Sequence, residues 1–322
     1  MLIPRIVVWS FLVGILVLGM GAASGQQNFT NKPVRIVTSG IGGGNDFTAR
    51  LLAQGLTVNM GQQIVVHNRP SGLIPGQDVS RALPDGYTML LAGGAFMIGT
   101  LLVSNPPYDP VRDFSPVSLV DYAPNVLVVH PSVPVNSVTE LIALAKAKPG
   151  ALNYASSGSG GSTHLAAELF KAMAGVDITR VPYKDGATQM ADLVGGRVQL
   201  SFASPPSVAP HTRSGKLRAL AITSKQPSAL APGVPTVTAT GLPGYESISI
   251  DAMYVPAKTP NAIINRLNQE LVRVLNRADV REKLLNAGLE VVGSSPAQLA
   301  TAVKSEMAKW GKLVKDLGLT TN

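Results

Sequence analysis

The chain contains no cysteine, few aromatic residues (5%) and few charged ones (14%). Without cysteine there is no disulfide framework, no thiolate metal site, no cysteine nucleophile and no lipid-anchoring cysteine near the start. Scarce aromatics argue against a stacking platform for single-stranded nucleic acid. The net charge is +8, yet Lys and Arg are spread along the chain without a block. No nucleic-acid stripe is therefore expected. A mild positive field instead raises the encounter rate of small anions. What is present is apolar material, 45% of 322 residues, which excludes wholesale disorder. That length fits about two domains of roughly 150 residues.

Residues 1–25 read as an export signal. Arg5 supplies the positive start, Ile6 to Met20 form an apolar run, and Gly21-Ala22-Ala23-Ser24-Gly25 provide a small-residue exit. A short apolar run with that exit fits cleavage better than a membrane span. No later stretch is long and apolar enough to cross a bilayer.

Beyond the signal, strand and helix patterns alternate. Val34 to Val37, Gln63 to Val66, Thr88 to Leu91 and Val126 to Val129 are strand-like, and Phe47 to Met60 is helix-like through Leu51, Leu52 and Leu56. This rhythm predicts an α/β protein with a mainly parallel sheet. Three later helices announce their starts. Ser137-Val138-Thr139-Glu140 and Ser295-Pro296-Ala297-Gln298 are capping boxes, and Thr259-Pro260 offers a hydroxyl at N-cap with Pro at N1. The last two helices are expected at roughly 260–277 and 296–317. Pro131 to Pro134 and the Pro/Gly-rich stretch 227–244 are places for the chain to change domain.

Two glycine- and hydroxyl-rich segments each follow a strand and open a helix. One is Thr38-Ser39-Gly40-Ile41-Gly42-Gly43-Gly44-Asn45-Asp46, the other Ala155-Ser156-Ser157-Gly158-Ser159-Gly160-Gly161-Ser162-Thr163-His164. Free N–H groups at a helix start and glycine's small profile together make an anion site without an arginine. The competing reading is two tight strand-to-helix turns. Asp46 most simply stabilises its own helix end. Lys184 is either a contributor of charge to a cleft or a solvated loop lysine.

Other chemistries fail on paper. A dinucleotide fingerprint breaks at Asn45 and lacks the acidic residue after the second strand, which ends Val66-His67-Asn68. No phosphate-loop motif exists, because Gly215-Lys216 and Gly311-Lys312 are both followed by Leu. There is no G-x-S-x-G and no S-x-x-K. His67, His130, His164 and His211 are too dispersed for a local zinc motif. His164 and Glu168 share a helix spacing that more often serves structure than catalysis. No catalytic residue, metal or cofactor is expected.

In order along nearly the whole mature chain stand Lys32-Pro33-Val34-Arg35, Asn68-Arg69-Pro70, Pro84-Asp85-Gly86-Tyr87-Thr88 and Pro107-Tyr108-Asp109-Pro110-Val111-Arg112-Asp113-Phe114. They are followed by Val181-Pro182-Tyr183-Lys184, Gly215 to Ala221 and Gly241-Leu242-Pro243-Gly244-Tyr245. With this series the chain resembles the Bug-type (Bordetella uptake gene) periplasmic solute receptors of tripartite tricarboxylate transporters. The resemblance implies a two-lobed clamshell of the periplasmic binding protein type II, with ligand in a central cleft. It implies lobe 1 at 26–128 plus 250–322 and lobe 2 at 129–249, with crossings near 125–131 and 245–255. A monomeric periplasmic receptor would hand a small carboxylate to membrane transporter subunits. Ligand contacts carried over are Ser39, Ile41, Gly42, Gly43 and Asp46, then Ser156, Ser157, Gly158, Ser159 and His164, with Lys184 and Gly186 from a third loop. Alternatives are a partner of a membrane sensor, or a periplasmic hydrolase using Ser159 or Ser162 with His164.

Four departures bear on the ligand. The family's Pro-Phe-x-Pro-Gly-Gly is replaced here at Thr38, Ser39 and Ile41, and the loop Ser71 to Gly76 is about two residues short. Phe202-Ala203 stands for Phe-Asp, and Ile250-Asp251 for Trp-Phe. If Asp251 faces the cleft, it favours a ligand carrying an amine or hydroxyl.

Overall fold

The structure, a computed structural model, describes residues 32–41, 44–69, 72–156, 161–183 and 186–318. The export-signal reading of 1–25 lies outside these residues. The chain opens with β1 (Val34–Thr38), α1 (Gly44–Met60), β2 (Ile64–Asn68), α2 (Ile74–Ser80), β3 (Thr88–Ala92) and α3 (Gly94–Leu102). β1 buries Val34, Ile36, Val37 and Thr38 completely. Burial on both faces suits a central parallel strand, and β1 lies between β2 and β3, parallel to each. Ala49, Leu52, Ala53 and Leu56 give α1 its buried stripe.

The long β4 (Phe114–Pro124) is followed after one residue, Asn125, by β5 (Val126–Val129). There the chain leaves the first sheet for the second. α4 (Val138–Ala147), β6 (Asn153–Ser156), α5 (Ser162–Ala174), β7 (Thr179–Pro182), α6 (Gly186–Val194), β8 (Leu200–Ala203), α7 (Pro205–Arg213) and β9 (Arg218–Ile222) build around that second sheet. Its order is β7-β6-β8-β5-β9. The chain then returns through β10 (Ile248–Pro256) and closes with α8 (Asn261–Leu275), α9 (Ala278–Asn286), β11 (Glu290–Val291) and α10 (Pro296–Leu317). The first sheet reads β11-β4-β10-β3-β1-β2.

The sheets are mixed, not mainly parallel as the sequence rhythm suggested. β10 runs antiparallel to β3 and β4, and β5 runs antiparallel to β8 and β9. These are the strands on which the chain passes between sheets, and each enters its sheet from the opposite end. Strand β5 belongs wholly to the second sheet, so the first passage falls at Asn125. The second lies between Ile222 and Ile248.

Helix starts follow the capping chemistry in full at one of the three sites, in part at the second and not at the third. Ser295 and Gln298 form the full reciprocal box, and Ser137 accepts from the Glu140 N–H. The Glu140 carboxylate reaches back to the Asn136 N–H instead of to Ser137. Thr259 does not cap α8: Pro260 takes the N-cap position and the Thr259 hydroxyl donates to the Pro256 carbonyl at 2.8 Å. Among the described residues no helix is long and apolar enough to cross a membrane.

Two aromatic groups fix the helices that matter below. Phe96, on α3, lies 4.8 Å from both Phe114 and Tyr254, and its carbonyl accepts from the Tyr108 hydroxyl at 2.9 Å. Across the molecule Phe170, on α5, packs on Phe202 and Tyr245, whose hydroxyl donates to the Ala166 carbonyl at 2.8 Å. Each helix is thus keyed to its sheet by rigid rings that carry a polar handle.

Candidate functional site

A cavity of about 240 Å³ opens where the two sheets face each other. Two parallel strands, β1 and β3, end there and three helices, α1, α3 and α5, begin. The β1 turn brings Ser39 and Asn45, the β3 turn brings Gly93, Gly94 and Ala95, and the start of α5 brings Gly161 and Ser162. Both β1 and β6 have partners on either side that the chain reaches in opposite directions. That is the topological switch at which open α/β sheets bind ligands. Helix starts carry unpaired N–H groups and partial positive charge. Neither Gly93 nor Gly161 has a side chain that could cap its helix.

The returning strand supplies the remaining polar wall, with Ser247, Ser249 and Asp251, while Trp310 of α10 closes one side. Among the described lining residues Asp251 is the only ionisable side chain. Its register partner across the β10–β4 ladder is Asp121, and both are buried. Among the described residues neither Asp121 oxygen finds an N–H or O–H donor elsewhere. The hydrogen bond between the two carboxyls therefore requires that one of them hold a proton. Burial pushes Asp121 well above the usual carboxylate range, with the Asp251 charge adding to it. Burial pushes Asp251 up to about 6, opposed by hydrogen bonds from Asn45 and Asp121.

The residues expected to form the site separate in space. Ser39 lines the cavity. Ile41 is 81% exposed, and it is not among the described lining residues. Asp46 turns its carboxylate to Arg50, at 2.9 Å, and to the Asn68 side-chain amide, at 2.8 Å. It holds its helix end while Asn45 beside it faces the cavity. Ser156 is buried at the end of β6, where its hydroxyl accepts from Arg180 at 2.8 Å. His164 sits in the first turn of α5, 7% exposed, and Gly186 begins α6 away from the cavity lining. Gly42, Gly43, Ser157, Gly158, Ser159 and Lys184 lie outside the described residues.

Sequence reading missed the β3 turn and the returning strand's serines. A signal for the first existed, since Ala92-Gly93-Gly94 is a third strand-to-helix glycine turn. Ser247 and Ser249 carried none, because nothing local to them distinguishes a strand edge facing a cavity.

Burial, aided by the Arg180 charge, pulls His164 down to about 4. An imidazole so held is neutral at pH 7 and a weak base, poorly matched to activating a serine. The Glu168 carboxylate accepts from the Tyr154 hydroxyl at 2.6 Å and pairs with Lys171 at 2.9 Å, as a structural carboxylate does. Among the described residues no group of three or more Asp, Glu or His side chains could hold a metal ion.

Two mixed α/β sheets, joined by two crossings with a cavity between them, define a two-lobed periplasmic binding protein. The chain belongs to the tripartite tricarboxylate transporter family receptors, whose family model matches residues 48–319. It is a receptor of the Bug type. Protein BugT of Bordetella pertussis is 34% identical over 314 residues, covering 95% of this chain and 96% of the relative. An R. palustris protein solved with adipate is 36% identical with TM-score 0.76, over 89% of this chain and 98% of that one. MatC of Rhodopseudomonas palustris, solved with bound malate, is 28% identical with TM-score 0.74, over 89% and 100%.

Proposed function

We propose that this receptor is exported, captures a small organic carboxylate between its lobes and delivers it to a tripartite tricarboxylate-type membrane transporter. The observation that carries the reading is the meeting of three helix starts, those of α1, α3 and α5, at one cavity. Their N–H groups suit one carboxylate without a cationic side chain. Relatives solved with adipate and with malate agree with an organic acid as ligand.

In this reading the lobes divide at Asn125 and within 223–247, a few residues before the expected 128/129 and 249/250 boundaries. Ser39 and Ser162 offer hydroxyls to the ligand, with His164 and Gly186 in the first turns of α5 and α6, and Gly42, Gly43, Ser157, Gly158, Ser159 and Lys184 in the segments between elements. The protein acts as a monomer in the periplasm after loss of residues 1–25, and it binds without turning its ligand over. Ligand binding closes the lobes about the two crossings, and the closed form is what the transporter reads.

A thermal-shift screen of unfolded and refolded protein against aliphatic, aromatic and amino-substituted carboxylates tests this. Refolding removes any ligand carried through purification. A ligand at about a hundred times its dissociation constant should add roughly 2.7 kcal/mol of stability. Silence across all acids sinks the reading.

A further inference from the structure

The cavity is chemically lopsided in a way that a plain dicarboxylate does not match. Its helix starts favour one carboxylate, but among the described lining residues there is no Lys, Arg or His to meet a second. Opposite stands an acid. Asp251 projects from β10 into the cavity, is only 7% exposed, and is oriented by a hydrogen bond with Asn45. The approach is close because residue 93 is glycine: a Cβ there would lie 2.4 Å from the Asp251 Oδ1 atom. The β10–β4 register shifts immediately after Asp251, where β4 bulges by one extra residue, Val120, beside Asp121. Such bulges re-aim side chains next to binding sites.

We infer that Asp251, backed by Asp121, selects a ligand that carries a protonated amine beside its carboxylate. This rests on the carboxylate-receptor reading above and names the substrate class of that same cavity. The carboxylate of such a zwitterion meets the helix starts, and its ammonium meets Asp251. A buried carboxylate is costly unless it is paired, and among the described lining residues no cation pairs with Asp251, a place that a ligand ammonium would fill. Asp121 lies behind Asp251 on the neighbouring strand and shares its proton, so the empty site carries one negative charge instead of two. The second carboxylate of a dicarboxylic acid would be a third acid against this pair. A hydroxyl would be accepted, but a charged donor makes the stronger hydrogen bond. A cavity of about 240 Å³ suits a small zwitterion.

Refolded wild-type protein titrated calorimetrically with matched acids provides the test. Each α-amino acid of three to six carbons is compared with its α-hydroxy and unsubstituted analogues, and each ω-amino acid with the dicarboxylate of equal length. The amino member of at least one set should bind tenfold or more tighter than both the plain acid and the dicarboxylate. Asp251→Asn should remove that advantage while changing the plain acid's affinity less than threefold. If dicarboxylates or plain acids bind best in the wild type, the Asp251 assignment is wrong and the receptor reading stands. An amine preference that survives in Asp251→Asn overturns the assignment as well. If no carboxylate binds at all, both readings fall together. The wild-type comparison decides the question even if the variant does not fold.

Discussion

Asn125 and Thr223 hold each other where the chain crosses between the sheets. The Asn125 N–H donates to the Thr223 hydroxyl at 2.7 Å, and the Thr223 N–H donates to the Asn125 carbonyl at 2.8 Å. The Thr223 carbonyl then accepts from the N–H of Ser247, a cavity residue on the returning crossing. The outgoing and returning segments are therefore tied through one fully buried threonine. Thr223→Val keeps the shape and removes the acceptor, leaving the Asn125 N–H buried and unpaired. The expected cost is about 1–3 kcal/mol, read from a urea midpoint. A loss below about 0.5 kcal/mol would mean that this bond does not hold the crossings in solution.

Gly93→Ala tests how closely Asp251 must approach the β3 turn. Gly93 has φ of −100°, which any residue adopts, so the difficulty is space and not backbone strain. The added methyl would meet the Asp251 carboxylate, which Asn45 and Asp121 hold from other sides. Ligand affinity should fall tenfold or more, with a stability loss of about 1–3 kcal/mol from overpacking. Unchanged affinity would show that Asp251 can move aside without consequence.

The acid pair should be visible in the pH dependence of stability. Asp121 and Asp251 both bind their protons more tightly folded than unfolded. Below the unfolded value near 4 they are protonated in both states and contribute nothing. As pH rises through 4 to 6 the unfolded chain loses protons that the folded chain still holds, and stability falls. His164 acts in the opposite sense, because its depressed value near 4 costs stability as pH falls below about 6.5. Comparing Asp121→Asn with wild type cancels the His164 effect. The variant should gain on wild type as pH rises above about 4 and be more stable at pH 7.5 by on the order of 2 kcal/mol. Equal profiles would mean that the two carboxyls do not share a proton.

Ser228 and Glu290 join the two lobes on the other side of the crossings. Glu290, on β11, accepts from the Tyr122 hydroxyl within the first sheet's lobe and from the Ser228 hydroxyl, which follows β9. Nearby, Gly288 packs so close to Pro206 of α7 that a Cβ would lie 2.6 Å from the proline ring. Ser228→Ala should loosen this contact and open the ligand-free protein, raising its radius of gyration in small-angle scattering. Saturating ligand should return it to the wild-type value. No change without ligand would show that the Ser228–Glu290 bond does not hold the lobes together.

Much of this organisation is legible in the residues themselves. The buried runs Val34 to Val37 and Val126 to Val129, the Ser295 capping box and the glycine turns after β1 and β6 act over a few residues, where local chemistry dominates. Thr259 shows the limit. Its hydroxyl had two acceptable uses, and the turn ending β10 took it for the Pro256 carbonyl. Strand direction was less legible, because βα alternation says nothing of the end from which a crossing strand enters its sheet. β5 therefore read as a member of a parallel sheet and pairs antiparallel instead.

By itself the sequence determined the α/β class, the family and the glycine-rich segments that precede its helices. Those properties depend on spacing and residue type along the chain. Only the tertiary structure decided which groups share one cavity. It brought Gly93, Ser247 and Asp251 to the turn at Ser39, and it set Asp121 behind Asp251 across a ladder that spans 130 positions of sequence. The physical reason is register. Side chains alternate faces along a strand, so a one-residue slip of β10 would point Asp251 away from the cavity, and nothing within β10 alone fixes that choice.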